Sequence, residues 1–187
     1  MGASTTAIPK RQQLTVRAGL AAVLGLALIQ IVPAPPRSNP AVDRDETIEA
    51  NVRLTAEAKQ VLRRACANCH SNETRWPWYS RVAPGSWLLG SHVERGRRAL
   101  NFSEWRTRTQ GKPGAAMASL AAACAAAASG RMPPPSYLWL HPEARLTPAD
   151  KQALCAWTDA EIAAIVAAVR TTPRAAGMNM NQTEPRP

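Results

Sequence analysis

The sequence predicts an all-α domain carried behind a membrane helix, and three observations predict it. Alanine, the best helix former, is abundant, whereas Phe102 is the only Phe and Tyr occurs twice. Glycines and prolines fall between apolar stretches, where they punctuate helices instead of interrupting them. A basic, acid-free N-terminus with Lys10, Arg11 and Arg17 runs into the uncharged stretch 18–36, the pattern of an export signal that leaves its N-terminus in the cytoplasm.

That stretch is near the lower limit for a bilayer span. Pro35 directly follows Val32-Pro33-Ala34 and hinders cleavage there, so the segment reads as an uncleaved anchor. The predicted organisation is a cytoplasmic N-terminus at 1–17, a signal anchor at 18–34 and a Pro-rich spacer at 35–46 that holds the rest off the membrane. A helical domain follows at 47–172, and a disordered tail at 173–187. A chain so oriented, with a single pass, places its domain on the extracytoplasmic side of the membrane. The formal charge of +10, from 23 Lys and Arg against 13 Asp and Glu, would suit nucleic acid, but no nucleic-acid motif accompanies it. It suits an acidic redox partner or an anionic lipid surface.

The chemistry sits at Cys66-Ala67-Asn68-Cys69-His70, the C-x-x-C-H signature of covalent haem attachment. Two thiols at this spacing add across the two vinyl groups on one porphyrin edge, and the adjacent imidazole turns to the iron. A redox dithiol would want a βαβ context, and a zinc site would want two more ligands. Only Cys124, Cys155, His92 and His141 remain, at irregular spacing. Thr55 caps a predicted helix over 56–66, with an apolar stripe at Ala58, Val61, Leu62 and Ala65, that delivers Cys66 at its end.

A six-coordinate iron needs a second axial ligand, commonly Met or His. Met132 lies in Gly130-Arg-Met-Pro-Pro-Pro135, where Gly130 can end the preceding helix and the prolines fix an extended loop. It is the expected ligand, ahead of His92 and His141, which read as structural, and Met117, which reads as helix filling. The metal ligands are therefore expected to be His70 and Met132.

Trp76, Trp78, Tyr79 and Trp87 follow the motif closely and are expected to wall the haem pocket. Pro84 is a candidate acceptor for the His70 ring N–H. Residues 87–100 suit an amphipathic helix with Arg95, Arg97 and Arg98 outward. The Ala-rich helix 114–129 carries no functional signal. Ser103 is expected to cap a short turn. Thr147-Pro148-Ala149-Asp150 starts a helix, and Thr158 to Glu161 repeats the signal, so the C-terminal segment is one helix or one broken near Trp157. For Cys124 and Cys155, two buried free thiols are favoured over a disulfide.

With these residues in view, the chain resembles the bacterial haem-binding-domain family of small monohaem cytochrome c-like proteins. The match runs through Cys66-Ala-Asn-Cys-His-Ser-Asn-Glu-Thr-Arg-Trp-Pro-Trp-Tyr79, Val82 to Trp87, His92 to Trp105, Met132-Pro-Pro134 and Tyr137 to Pro142. The resemblance implies a cytochrome c-like helical fold around one haem c, often behind an N-terminal membrane segment. It adds to the cofactor more than to the role. The expected role is that of an electron carrier between redox partners with an acidic docking face, not an enzyme. The alternative is a peroxidase-like haem enzyme or gas sensor whose sixth ligand is displaceable.

Overall fold

The computed structural model describes residues 9–171, so the expected tail at 173–187 lies outside the described residues. The all-α expectation holds: among the described residues every regular element is helical. The order is α1 (Lys10–Leu28), α2 (Ile48–Asn51), α3 (Ala56–Val61), a π-helical turn (Leu62–Cys66), α4 (Ala67–His70), α5 (Gly85–Ala99), α6 (Trp105–Thr109), α7 (Pro113–Ala128), α8 (Pro135–Leu138) and α9 (Pro148–Thr171). Single 3₁₀ turns link several of them.

Local chemistry sets the main helix starts. The Thr55 hydroxyl accepts from the Ala58 N–H at 3.1 Å and starts α3. At α9 the capping is reciprocal: Asp150 N–H donates to Thr147 Oγ1 at 3.1 Å, and Asp150 Oδ2 accepts from Thr147 N–H at 2.8 Å. Helix α9 then runs unbroken past Trp157, because Trp157 is buried in the core and its indole N–H donates to the Arg53 carbonyl at 2.8 Å. The short turn at Phe102–Glu104 is capped by Asn101, whose Oδ1 accepts from Ser103 N–H, and not by Ser103 itself.

Helices α7 and α9 pack along each other, and α3 crosses α9. Their buried side chains, Val61, Leu62, Leu120, Leu154 and Trp157, join Ile48, Phe102 and Trp105 in the main core. Helix α5 packs on the other side, against α4. The motif-bearing segment, α4, is thus held between a large apolar core and a single amphipathic helix.

Two expectations are corrected. Cys124 on α7 and Cys155 on α9 are joined in a disulfide, with their Cα atoms 4.9 Å apart. The close pairing of two Ala-rich helices brings them within bridging range, and sequence position alone carries no such proximity. Residues 35–46 are no free spacer either. Pro35 packs on Gly90, Arg37 donates to the Ser80 carbonyl, and Asn39 donates to the Thr74 carbonyl at 2.9 Å. The segment is a strap bound across the domain, because its polar side chains find unpaired loop carbonyls there. Helix α1, by contrast, buries no residue.

The disulfide closes the segment between the two helices that build the core. Replacing Cys124 and Cys155 together by Ala should lower unfolding stability by about 2–4 kcal/mol, read as a shift of the denaturant midpoint, with the helical circular dichroism of the folded state unchanged.

Candidate haem site

The Cys66–His70 segment is delivered by a change of helix type. The α3 helix gives way to the π-helical turn Leu62–Cys66, in which Ala67 N–H reaches back to the Leu62 carbonyl, and the chain resumes as α4. A π-turn widens the helix by one residue and re-aims the residues beyond it, a device common at functional sites. Nothing in the composition of Leu-Arg-Arg-Ala-Cys signals it.

The groups that fix α4 lie just beyond it. Ser71 Oγ donates to the Ala67 carbonyl and accepts from Glu73 N–H. Thr74 Oγ1 donates to the Asn68 carbonyl at 2.8 Å. The buried Asn101 amide donates to Asn72 Oδ1 at 2.8 Å, and Asn72 N–H donates to Ser103 Oγ at 3.0 Å. Arg97, expected outward, turns in: its guanidinium donates to the Ser71 carbonyl, Thr74 Oγ1, the Ser38 carbonyl and Asn39 Oδ1. Burial lowers its pKa from the ordinary value. The Ser-Asn-Glu-Thr sequence after His70 is therefore the framework that holds α4.

The His70 ring is oriented by the Leu100 carbonyl, 2.9 Å from Nδ1. Leu100, not Pro84, is the acceptor, because α5 ends at Ala99 and frees the next carbonyl beside the ring. With Nδ1 donating there, Nε2 is the nitrogen left for a metal. Burial lowers the pKa of His70, with the backbone hydrogen bonds opposing it.

Beside His70 opens a cleft of about 520 Å³, within the range of sites for small molecules and cofactors. Cys66, Cys69 and His70 line one wall. Ala118, Ala122, Ala123 and Ala126 of α7 line another, and Met132 and Pro133 line a third. The four expected attachment and ligand residues thus share one cleft. Met132 is held there by its own N–H, which donates to the Ala126 carbonyl at 3.1 Å after Gly130 turns the chain at φ 71°. Alanines at a helical repeat leave a smooth apolar wall, which suits a flat macrocycle. Burial pushes the Cys66 thiol up to about 12 and the Cys69 thiol up to about 11. Among the described residues, no three His, Cys, Asp or Glu side chains converge as a metal cluster would require.

The aromatic expectation is corrected. Trp76, Trp78, Tyr79 and Trp87 do not line this cleft. Trp76 donates to Asn39 Oδ1 of the strap and Trp87 to the Val32 carbonyl just ahead of it, so both hold the segment that leads from α1 into the domain. Trp78 is exposed, and the Tyr79 hydroxyl pairs with His141 Nε2 at 2.6 Å. The physical reason is that the strap, unread as a packing partner, offers acceptors on that side. His141 also pairs with Glu143 and stacks on Tyr137, ring centroids 4.2 Å apart, as its structural reading expects. His92 lies outside the cleft lining.

Sequence reasoning missed Tyr137, which lines the cleft and accepts from Asn68 Nδ2 at 2.9 Å, and it missed the α7 wall. In a helix where most positions are Ala, no face stands out in the sequence. Gly96 is the close approach that lets α5 meet α4: a Cβ there would strike the Cys69 carbonyl, and would lie 3.1 Å from Cys69 Cβ. Gly96→Ala should therefore destabilise the fold by at least about 2 kcal/mol and sharply lower haem loading. Gly114→Ala, with open space around it, should leave both unchanged. Denaturant unfolding and haem-to-protein absorbance ratios measure the pair.

No curated protein and no solved structure matches the chain. The haem-binding domain family matches over residues 24–160, a span that takes in the motif helix, its Ser-Asn-Glu-Thr framework and the Met132 loop. The chain belongs to the haem-binding domain family.

Proposed function

We propose that this protein is a membrane-anchored monohaem c-type cytochrome that passes electrons between extracytoplasmic redox partners, with the anchor in a bacterial inner membrane and the domain in the periplasm. One observation carries the reading: Cys66, Cys69, His70 and Met132 line one cleft, with the His70 ring already turned by the Leu100 carbonyl. Cys66 and Cys69 would hold the porphyrin through two thioethers, and His70 and Met132 would hold its iron. The bound haem supplies one-electron chemistry.

The chain's own residues do the rest. The Leu100 carbonyl keeps His70 in the tautomer that offers Nε2. The alanine wall of α7 and Phe102 exclude water. Arg131 is the one guanidinium lining the cleft among the described residues, and it is the residue that would pair with a propionate. Beside Met132 a second groove carries the exposed Trp139, with Arg145 and Lys151 on its rim. An apolar surface rimmed by cations suits an acidic partner. A disulfide in the domain fits an oxidising compartment.

Spectroscopy of the protein, matured with the c-haem assembly machinery, tests the reading. The reduced wild type should not bind carbon monoxide, and the oxidised form should show the weak red-edge band of a Met–iron bond. Met132→Ala should abolish that band and admit carbon monoxide, with His92→Ala leaving both as in the wild type. A high-spin wild type that binds carbon monoxide readily would replace the carrier reading with that of a haem enzyme or gas sensor.

A further inference from the structure

The end of α1 is bonded to the domain. In the 3₁₀ turn Ile29–Ile31 that follows α1, the Gln30 side-chain amide pairs with both backbone groups of Ala83: Ala83 N–H donates to Gln30 Oε1 at 2.9 Å, and Gln30 Nε2 donates to the Ala83 carbonyl at 3.3 Å. Two residues on, Trp87 donates to the Val32 carbonyl at 3.2 Å, and Pro35 lies against Gly90. The stretch 30–35 is therefore seated on the loop before α5 and on the first turns of α5. The polar Gln30, otherwise costly in an apolar run, is shared between the helix and the domain: its Nε2 also donates to the Leu26 carbonyl at 2.9 Å.

The helical stretch Lys10–Ile31 is long and apolar enough to cross a membrane, but only with Arg17 inside the span. Its charge-free part, 18–31, rises about 21 Å at 1.5 Å per residue, against a hydrocarbon core of about 30 Å. Arg17 can reach back to the cytoplasmic interface with its long side chain, but the next charge after it is Arg37. Such a mismatch draws the flanking residues toward the bilayer. Here the flanking residues 32–36 are fixed to the domain, so the domain face moves with them.

That face is apolar where it should be. Val82, next to Ala83, is 46% exposed, Leu88 in the first turn of α5 is 51% exposed, and Trp78, in the turn leading to Ala83, is 78% exposed. Arg81 stands exposed among them. Exposed Trp beside a cation is the composition of a membrane–water interface.

We infer that the Trp78–Leu88 face of the domain rests in the interfacial layer of the same bilayer that α1 spans, so the haem domain is docked on the membrane at a fixed orientation and does not swing on a tether. This rests on the proposed reading of α1 as a membrane anchor. It puts the surface built from 78–88 against lipid and leaves the Met132–Trp139 side for partners.

Photolabelling of the full haem-loaded chain tests it, in lipid nanodiscs of zwitterionic and anionic phospholipid doped with a phospholipid that carries a diazirine near its headgroup. Tryptic mapping should find label on the peptide 18–37 and also on 76–81 and 82–95, several-fold above that on 132–145. Trp78→Ser with Leu88→Ser, both at exposed positions, should remove most of the label from 76–95 and keep that on 18–37. Label confined to 18–37 in the wild type would overturn the docked orientation and leave the anchor standing. Label on 76–95 that the double substitution does not reduce would also overturn it, since the contact would not be this patch. Absence of label from 18–37 would remove the anchor and the inference together.

Discussion

The site depends on one part-buried polar contact, the Arg97 guanidinium, which donates to four oxygens: the Ser71 and Ser38 carbonyls, Thr74 Oγ1 and Asn39 Oδ1. Helix α4 has only four residues, Ala67–His70, too few to be stable alone. Its place is imposed from outside, by Arg97 on one side and by the Asn72–Asn101–Ser103 bonds on the other. Because a buried carbonyl or amide left unpaired costs about 1–3 kcal/mol, each of these contacts resists any alternative path of the loop. The same lattice takes in the strap through Ser38 and Asn39, so the segment between α1 and the domain and the placement of the cysteines share a common support.

Apolar packing supplies the second half of the arrangement. Helices α7 and α9, joined by the disulfide, form a rigid pair whose core side carries Leu120 and Leu154 and whose cleft side of α7 carries small side chains. The cleft exists because α7 presents alanines there: a Leu stripe at the same positions would fill it. Tyr137 then ties α8 to Asn68 of α4, so the wall bearing Met132 and the wall bearing His70 are positioned relative to each other by a hydrogen bond and not only by the loop between them.

Much of this was legible in the residues, where a chemical rule acts over a few positions. The C-x-x-C-H motif, the Thr55 and Thr147 caps, the Gly130 turn and Met132 beside its prolines each carry their meaning locally. The features that were not legible depend on distant partners. Trp76 and Trp87 read as a cofactor wall because their area is large, but their indoles bind Asn39 of the strap and the Val32 carbonyl before it, in a stretch whose composition signals no packing partner. Arg97 sits on a helix where Arg95 and Arg98 face solvent, and only the loop folded beneath α5 makes its position different. The alanine wall and the Cys124–Cys155 bridge were hidden by the Ala-rich sequence of α7, in which little apolar contrast marks one face from another.

The proposed haem attachment is covalent, through Cys66 at the end of the π-helical turn and Cys69 in α4. Intact-mass spectrometry of the matured protein under denaturing, acidic conditions tests it most directly. The wild-type mass should be raised by that of a single haem, with Cys66→Ala plus Cys69→Ala returning the polypeptide mass alone. Release of the haem from the wild-type chain by acid and organic solvent, leaving the unmodified polypeptide mass, would contradict it.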